Sequence, residues 1–185
     1  MDIVIDTNVL VAGLLSPFGA CGEIVRMVSA GELTLSFDAR ILSEYNEVLR
    51  RLRFGFEEEK VAAFLDYIVH RGRAVASSPL SHSLPDPDDE TFLEVTLSSQ
   101  AVCLVTGNQK HFPAKRCQGA KVISPNEFLI FLKKQAQKKG ALLPPFLFTQ
   151  TIGLEHTFNI QVWTAESNIR CFDFATESID CAHTI

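Results

Sequence analysis

The sequence predicts an α/β domain with a central, mainly parallel sheet of about five strands flanked by helices. Short apolar runs alternate with helical stretches from the start to about residue 139, a pattern typical of βαβ units. The first run, Ile3 to Ile5, is continuously apolar, as in a parallel strand covered on both faces. With 185 residues, 46% of them hydrophobic, the chain can bury an ordinary core.

The apolar runs and their periodicity define each element in order. The predicted strands are 3–5, 33–37, 73–76, 102–106 and 121–124. Helices are predicted over 9–14, 21–30, 37–54, 57–70, from the segment PDPDDE onward, and from 125 to about 140. In the segment 37–54, an apolar stripe at helical period includes Leu49 and Leu52. In the helix after PDPDDE, Asp86 can serve as the N-cap and Pro87 suits the first turn.

Residues 140–185 differ in character from the first 139. They hold one arginine, no lysine and five acids, and their aromatic residues follow no clear period. We therefore expect a domain at 1–139 and a C-terminal extension at 140–185. The segment TFNIQVW alternates partly like a strand, so the extension is either an added hairpin or edge strand, or a disordered tail.

Composition narrows the classes of protein. The net charge of −5 argues against a surface coated with basic residues for non-specific nucleic-acid binding. The five cysteines contain no CxxC pair, which favours buried free thiols over disulfides or a zinc site. The N-terminus enters a strand pattern without a basic leader or a long apolar stretch, so we expect a cytoplasmic protein without a membrane span.

The first candidate site residue is Asp6, which directly follows the first strand. The carboxyl ends of parallel strands form the ligand-binding edge of open α/β sheets. Alternatively, Asp6, Thr7 and Asn8 only cap the helix that follows, since these are favoured N-cap residues. This segment alone does not separate the two interpretations.

Two more acids lie where the helical period predicts apolar residues. Glu44 shares the inward-facing side of its helix with Ile41 and Val48, and Asp89 borders the packed side of the next site helix. Unpaired buried carboxylates cost several kcal/mol, so three near one sheet edge favour a shared cation. The alternatives are pairing of Glu44 with Arg40 or Arg51, and capping by Asp89.

The fourth strand ends in small and polar residues, Thr106, Gly107 and Asn108, which we expect at the same sheet edge as Asp6. Asn108 can offer a neutral oxygen to a metal or hydrogen-bond a ligand, and His111 follows three residues later beside Lys110. Among the three acids, hard oxygen ligands with no histidine or cysteine favour Mg²⁺ or Mn²⁺ over Zn²⁺. A lone histidine such as His111 is more often structural than catalytic.

With these residues in place, the sequence resembles the PIN domain family of metal-dependent ribonucleases, in the branch of VapC-like toxins. The resemblance covers residues 1 to about 136 and rests on four segments in order: VIDTNVLVAGLL, SEYNEVLRRLRF, DPDDETFLEV and LVTGNQKHFP. It implies a three-layer fold with a central parallel sheet. No single segment is specific; their order and spacing carry the resemblance.

The resemblance implies roles for individual residues. Asp6, Glu44 and Asp89 match the three acids that hold Mg²⁺ or Mn²⁺ in the family, and Asn108 stands where the family often has a fourth acid. Asp86 is the alternative fourth carboxylate, because it lies just before the same helix as Asp89, and Thr7, Asn8 and His111 are further candidates near the site. Basic side chains around the pocket are candidate contacts to the substrate backbone, with Lys110 and Arg51 first, followed by Lys115, Arg116, Arg50 and Arg53.

The implied function is hydrolysis of RNA phosphodiester bonds by a toxin component, with a small antitoxin as partner and self-association as a dimer. Because Asn108 removes a charge, the alternative is a catalytically impaired PIN-fold module that binds RNA or a protein. A phosphatase of the haloacid-dehalogenase type normally needs a second aspartate two residues after the first, and Asn8 occupies that position.

Overall fold

The structure, a computed structural model, describes residues 1–138. Five parallel strands form the sheet, in the order β3-β2-β1-β4-β5. They are β1 (Asp2–Ile5), β2 (Thr34–Phe37), β3 (Arg73–Ala74), β4 (Leu104–Val105) and β5 (Val122–Ile123). The predicted α/β fold is confirmed, and the sheet of the described chain is parallel throughout. The predicted extension at 140–185 lies outside the described residues, as does residue 139.

Within residues 1–138, six α-helices flank the sheet, one for each helix predicted from the sequence. They are α1 (Thr7–Leu15), α2 (Ala20–Ser29), α3 (Ala39–Leu49), α4 (Glu58–Arg71), α5 (Glu90–Ser99) and α6 (Pro125–Lys138). Short 3₁₀ turns lie at Leu52–Phe54, Pro87–Asp89 and Gln109–His111. As predicted, Asp86 caps the turn before α5, accepting a hydrogen bond from the Asp88 amide at 3.1 Å.

The prediction of one continuous helix over 37–54 is wrong at its C-terminal end. Helix α3 ends at Leu49, and Arg51 adopts an extended backbone before the 3₁₀ turn that follows. Gly55 closes that turn with a φ of 64°, in the left-handed region that glycine adopts without a Cβ penalty. As a result Leu52, predicted to face inward, is 97% exposed.

The strand order places a topological switch at β1. The chain builds outward from β1 through β2 to β3, then returns to lay β4 and β5 on the other side of β1. The loops at the carboxyl ends of β1 and β4 therefore diverge, and a crevice forms between them. Open α/β sheets bind their ligands at such a point.

The core of the domain surrounds β1. Ile3, Val4 and Ile5 have no exposed surface, as expected for a central parallel strand with both faces covered. From α3, the buried Tyr45 hydroxyl donates a hydrogen bond to the Ile5 carbonyl. This contact fixes α3 against the last residue of β1, one position before Asp6.

Of the helices that the structure describes, none alone combines the length and apolar composition of a membrane span; α1 and α2 meet these criteria only together, as a pair bent by 95°.

Candidate metal centre

A cleft of about 450 Å³ opens at the carboxyl ends of β1 and β4, at the topological switch. One part of its lining is polar and includes four acids, and the other is largely apolar. The polar residues are Asp6, Thr7, Asn8, Glu44, Asp86, Asp89, Asn108 and His111. The remainder are Val11, Ala12, Leu15, Val48, Arg53 and Phe54. The cleft thus brings together every candidate metal-site residue predicted from the sequence.

Asp6 is held in place by both strands that border the switch. Its backbone amide donates to the Val105 carbonyl at 2.9 Å, and its side chain accepts hydrogen bonds from the Thr106 hydroxyl at 2.5 Å and the Asn8 side-chain amide at 2.7 Å. Asp6 also caps α1, accepting from the Asn8 backbone amide at 3.0 Å. The cap and the site interpretation are therefore both consistent with the structure. Burial raises the pKa of Asp6, although Thr106 and Asn8 oppose that shift.

Glu44 points into the cleft from α3, half-buried, whereas Glu47 on the same helix is exposed. The Thr7 hydroxyl donates to Glu44 Oε1 at 2.6 Å. Neither arginine considered as its partner takes that place: Arg40 binds Asp38, Ser77 and Glu94, and Arg51 binds Glu47. Burial, followed by the charges of nearby aspartates, raises the pKa of Glu44.

Asp89 stands at the start of α5 but does not cap that helix with its side chain. Its carboxylate instead lies 2.8 Å from Nδ1 of His111, in the 3₁₀ turn that follows β4. The Asp86 carboxylate lies 4.0 Å from the same nitrogen. Burial raises the pKa of Asp89, and the His111 hydrogen bond opposes this effect.

The segment after β4 closes one side of the cleft. The Gly107 amide donates to Asn8 Oδ1 at 3.1 Å, and the Asn108 amide donates to the Thr106 hydroxyl at 2.9 Å. A Cβ at Gly107 would lie 3.2 Å from Asn8 Oδ1, so a small residue allows the two loops to approach. Asn108 lines the cleft but is itself exposed.

The charged forms of the three predicted acids are disfavoured in the cleft. Asp6, Glu44 and Asp89 all have raised pKa values, and the charge of Asp6 contributes to the shifts of the other two. The hydrogen bonds described for Asp6 and Glu44 come from hydroxyl and amide groups rather than from lysine or arginine. Hard carboxylate oxygens around a polar cleft form the donor set that Mg²⁺ or Mn²⁺ prefers. The residues present therefore fit a divalent cation.

The arginine that lines the cleft is among the basic candidates named from the sequence, but it is not one of the two placed first. Arg51 forms an ion pair with Glu47 at 2.8 Å, and neither Arg51 nor Lys110 belongs to the cleft lining. Arg53 does line the cleft, with its guanidinium 4.6 Å from the centre of the Phe54 ring. The break in the helix after Leu49 brings about this arrangement, because it redirects the chain before the 3₁₀ turn.

A sequence profile of the PIN domain family matches residues 2–110. The chain belongs to the PIN domain family. The family predicted from the four sequence segments is thus confirmed, and the matched region of this PIN domain contains Asp6, Glu44, Asp89 and Asn108.

Solved structures with a similar fold include VapBC2 from Rickettsia felis bound to a DNA fragment from their promoter. The match has 16% sequence identity and a TM-score of 0.45, and covers 67% of this PIN domain protein and 98% of that chain. PAE2754 from Pyrobaculum aerophilum matches with 18% identity and a TM-score of 0.46, over 73% and 91% of the respective chains. A comparison with curated protein sequences gives no match.

Sequence reasoning missed two features of the PIN domain site. It placed Thr106 at the correct sheet edge but did not identify its hydrogen bond to Asp6, which joins residues 100 positions apart. It also gave no reason to prefer Arg53 to the neighbouring arginines. The polar residues at the end of the β4 run could have indicated the Thr106 contact. No sequence pattern could have indicated the position of Arg53, because it depends on the backbone after α3.

Proposed function

We propose that this PIN domain is a Mg²⁺- or Mn²⁺-dependent endoribonuclease and the toxin component of a toxin–antitoxin pair. The observation that carries the nuclease proposal is the convergence of Asp6, Glu44 and Asp89 in one cleft, with raised pKa values. Such a group of carboxylates is stabilised when a cation binds among them. We propose Asp6, Glu44 and Asp89 as ligands, with Asn108 at the fourth position.

The residues around the ligands hold them in position. Thr106 and Asn8 fix the Asp6 carboxylate, and Thr7 fixes Glu44. When bound, a divalent cation supplies positive charge that activates water and stabilises the negative charge developing on a phosphodiester during in-line attack. A carboxylate cleft without the cation repels the same phosphodiester. Activity should therefore be lost in EDTA.

The rest of the cleft suits a nucleic-acid strand. Arg53 offers a guanidinium to a backbone phosphate, and Phe54 and Leu15 form a neighbouring apolar surface where a base can pack. We propose that Arg53 makes the substrate contact that the sequence assigned to Arg51. Lys110, adjacent to His111 and exposed, remains a second candidate.

The toxin role rests on the sequence resemblance to VapC-like proteins. It includes an antitoxin as protein partner, self-association as a dimer, a cytoplasmic location and a PIN domain at 1–139 followed by an extension. One structural neighbour is VapBC2 bound to promoter DNA, and that assembly is known for the neighbour alone. Arrest of growth on expression of the full chain, absent with Asp6→Asn, would support the toxin role; unaffected growth would contradict it.

The test of the nuclease proposal is a cleavage assay on mixed RNA with the purified full chain, in Mn²⁺, Mg²⁺ or EDTA. Asp6→Asn, prepared identically, controls for contaminating nuclease. Cleavage that requires the cation and is lost in Asp6→Asn supports the proposal. Cleavage that persists equally in EDTA or in the variant contradicts it.

Asn108 favours one second candidate, a PIN module that binds RNA without cutting it. A neutral amide replaces a negative charge at the family's fourth position, which weakens attraction for a second cation. Cation and RNA binding without turnover would support this candidate. Cleavage gained by Asn108→Asp would then identify the missing charge as the cause.

A further inference from the structure

The charge that Asn108 lacks has a structural counterpart elsewhere in the lining of the same cleft. We propose that Asp86, Asp89 and His111 bind a cation through carboxylate oxygens and an imidazole nitrogen. These ligands take the place of the missing fourth acid and make the site select Mn²⁺ over Mg²⁺. This inference rests on the proposed function, because it assumes that Asp6, Glu44 and Asp89 hold a cation. To the proposed site it adds Asp86 and His111 as ligands, the second through a nitrogen atom, and a preference for Mn²⁺.

The distances suit ligands of one cation. His111 Nδ1 lies 2.8 Å from the Asp89 carboxylate and 4.0 Å from that of Asp86, and ligand atoms of all three lie within 4.8 Å of one another. Around an octahedral ion with bonds of about 2.1 Å, adjacent ligands are about 3.0 Å apart and opposite ligands about 4.2 Å apart. The 2.8 Å and 4.0 Å distances from His111 Nδ1 are close to these two values.

The three residues also come from segments that the fold fixes in place. Asp86 precedes the 3₁₀ turn before α5 and accepts a hydrogen bond from the Asp88 amide, and Asp89 is the last residue of that turn. His111 ends the 3₁₀ turn after β4, and the next residue, Phe112, is buried in the core. His111 itself is only partly exposed and lines the same cleft as Asp6 and Glu44. The position is thus continuous with the acid site.

The nitrogen donor determines the metal preference. Mg²⁺ strongly favours oxygen ligands and dehydrates reluctantly, so an imidazole adds little to its binding. First-row transition ions bind imidazole better than Mg²⁺ does. Among these ions, Mn²⁺ is the one that also prefers carboxylate ligands. His111 should therefore raise the affinity for Mn²⁺ and leave that for Mg²⁺ almost unchanged. Asp86 should contribute to both ions through its charge.

The experiment measures metal binding directly on the purified full chain, without reference to cleavage. Titration calorimetry with Mn²⁺ and with Mg²⁺ compares the wild type with His111→Asn, Asp86→Asn and Asp6→Asn. His70→Asn is the matched control, because His70 is an exposed histidine on α4 whose Nδ1 contacts the Asp66 carbonyl. Asp86→Asn keeps the side-chain acceptor that caps the turn, so it tests the site even if His111→Asn does not fold.

A spectroscopic measurement separates a ligand from a residue that only positions Asp89. Pulsed electron paramagnetic resonance of bound Mn²⁺ detects the coupling of a directly bonded nitrogen. The proposal expects this coupling in the wild type and in His70→Asn, and its loss in His111→Asn. It also expects Mn²⁺ affinity to fall at least tenfold in His111→Asn, with less than a threefold change for Mg²⁺.

The outcomes distinguish this inference from the proposed function. If Mn²⁺ binds and Asp6→Asn abolishes binding, but no nitrogen coupling appears and His111→Asn binds normally, the inference is wrong and the nuclease site stands. Equal losses of Mn²⁺ and Mg²⁺ affinity in His111→Asn, without nitrogen coupling, also overturn it and leave His111 as a positioning residue. No binding of either ion by the folded wild type would overturn both.

Discussion

The Thr106 hydroxyl donates a 2.5 Å hydrogen bond to the Asp6 carboxylate, joining the ends of β4 and β1 across the topological switch. Both side chains are buried, with Asp6 only 5% exposed and Thr106 fully covered. The same hydroxyl accepts a hydrogen bond from the Asn108 amide at 2.9 Å. Thr106 therefore links Asp6 to Asn108, the residue at the family's fourth acid position. Thr106 thus sets the geometry of the site without being one of its proposed ligands.

Replacing Thr106 with valine should destabilise the protein and weaken cation binding. The change keeps the shape but leaves the buried Asp6 carboxylate without its hydroxyl donor, which typically costs about 1–3 kcal/mol. Thr106→Ser, which retains the hydroxyl, is the matched control. Chemical denaturation in EDTA measures the free energy of unfolding, and calorimetry measures the cation affinity. Equal stability and affinity for the two variants would show that the hydrogen bond is dispensable.

Asp6→Asn should abolish cation binding while leaving the cation-free protein at least as stable as the wild type. Burial disfavours the charged form of Asp6, and asparagine removes that charge while keeping an acceptor for Thr106 and Asn8. Asp66→Asn, at an exposed position on α4, is the control. Thermal melting in EDTA and metal titration check the two parts. A large fall in melting temperature would instead indicate that Asp6 serves mainly as the cap of α1.

Stability without metal should decrease as pH rises through the carboxylate range. The folded-state pKa values of Asp6, Glu44 and Asp89 lie above their ordinary values, mainly because of burial. Their favourable contribution is therefore full below the ordinary pKa values and is lost as pH rises through the raised ones. Asp38, whose pKa is lowered, contributes in the opposite sense and loses its contribution as pH falls.

The measurement is the free energy of unfolding against pH in EDTA, for the wild type and Asp6→Asn, so that the contribution of Asp38 cancels in the difference. The difference should grow in favour of the variant as pH rises. Saturating Mn²⁺ should reverse it above the raised pKa values, since bound cation favours the ionised carboxylates. A difference that does not change with pH would contradict the predicted effect of burial on Asp6.

Arg53→Ala should weaken RNA binding more than Arg51→Ala. Arg53 lines the cleft, whereas Arg51 pairs with Glu47 outside it. If Arg53 contacts one phosphate, its loss should reduce the salt slope of binding to a single strand by about 0.7. Fluorescence anisotropy in Mn²⁺, with a nuclease-resistant phosphorothioate RNA strand, measures binding without cleavage. An unchanged slope in Arg53→Ala, or a reduced one in Arg51→Ala, would argue against this assignment.

Local patterns were sufficient to predict much of the fold and of the site. Ile3 to Ile5 could be identified as a central strand because a parallel strand with two covered faces needs continuous apolar side chains. Glu44 could be separated from Glu47 because helical period alone decides which residue of α3 faces inward. The end of α3 could not be predicted from period, since Leu52 continues the apolar stripe although the backbone has already left the helix.

The sequence by itself determined the order of strands and helices, the PIN family and the acids at the sheet edge, because these follow from periodicity within one element and from short motifs. Only the tertiary structure decided which side chains meet. Thr106 binds Asp6, Thr7 binds Glu44, and His111 meets Asp89. These contacts join residues distant in sequence, and they exist because the strand order reverses at β1 and because α3 and α5 pack beside the same strand end.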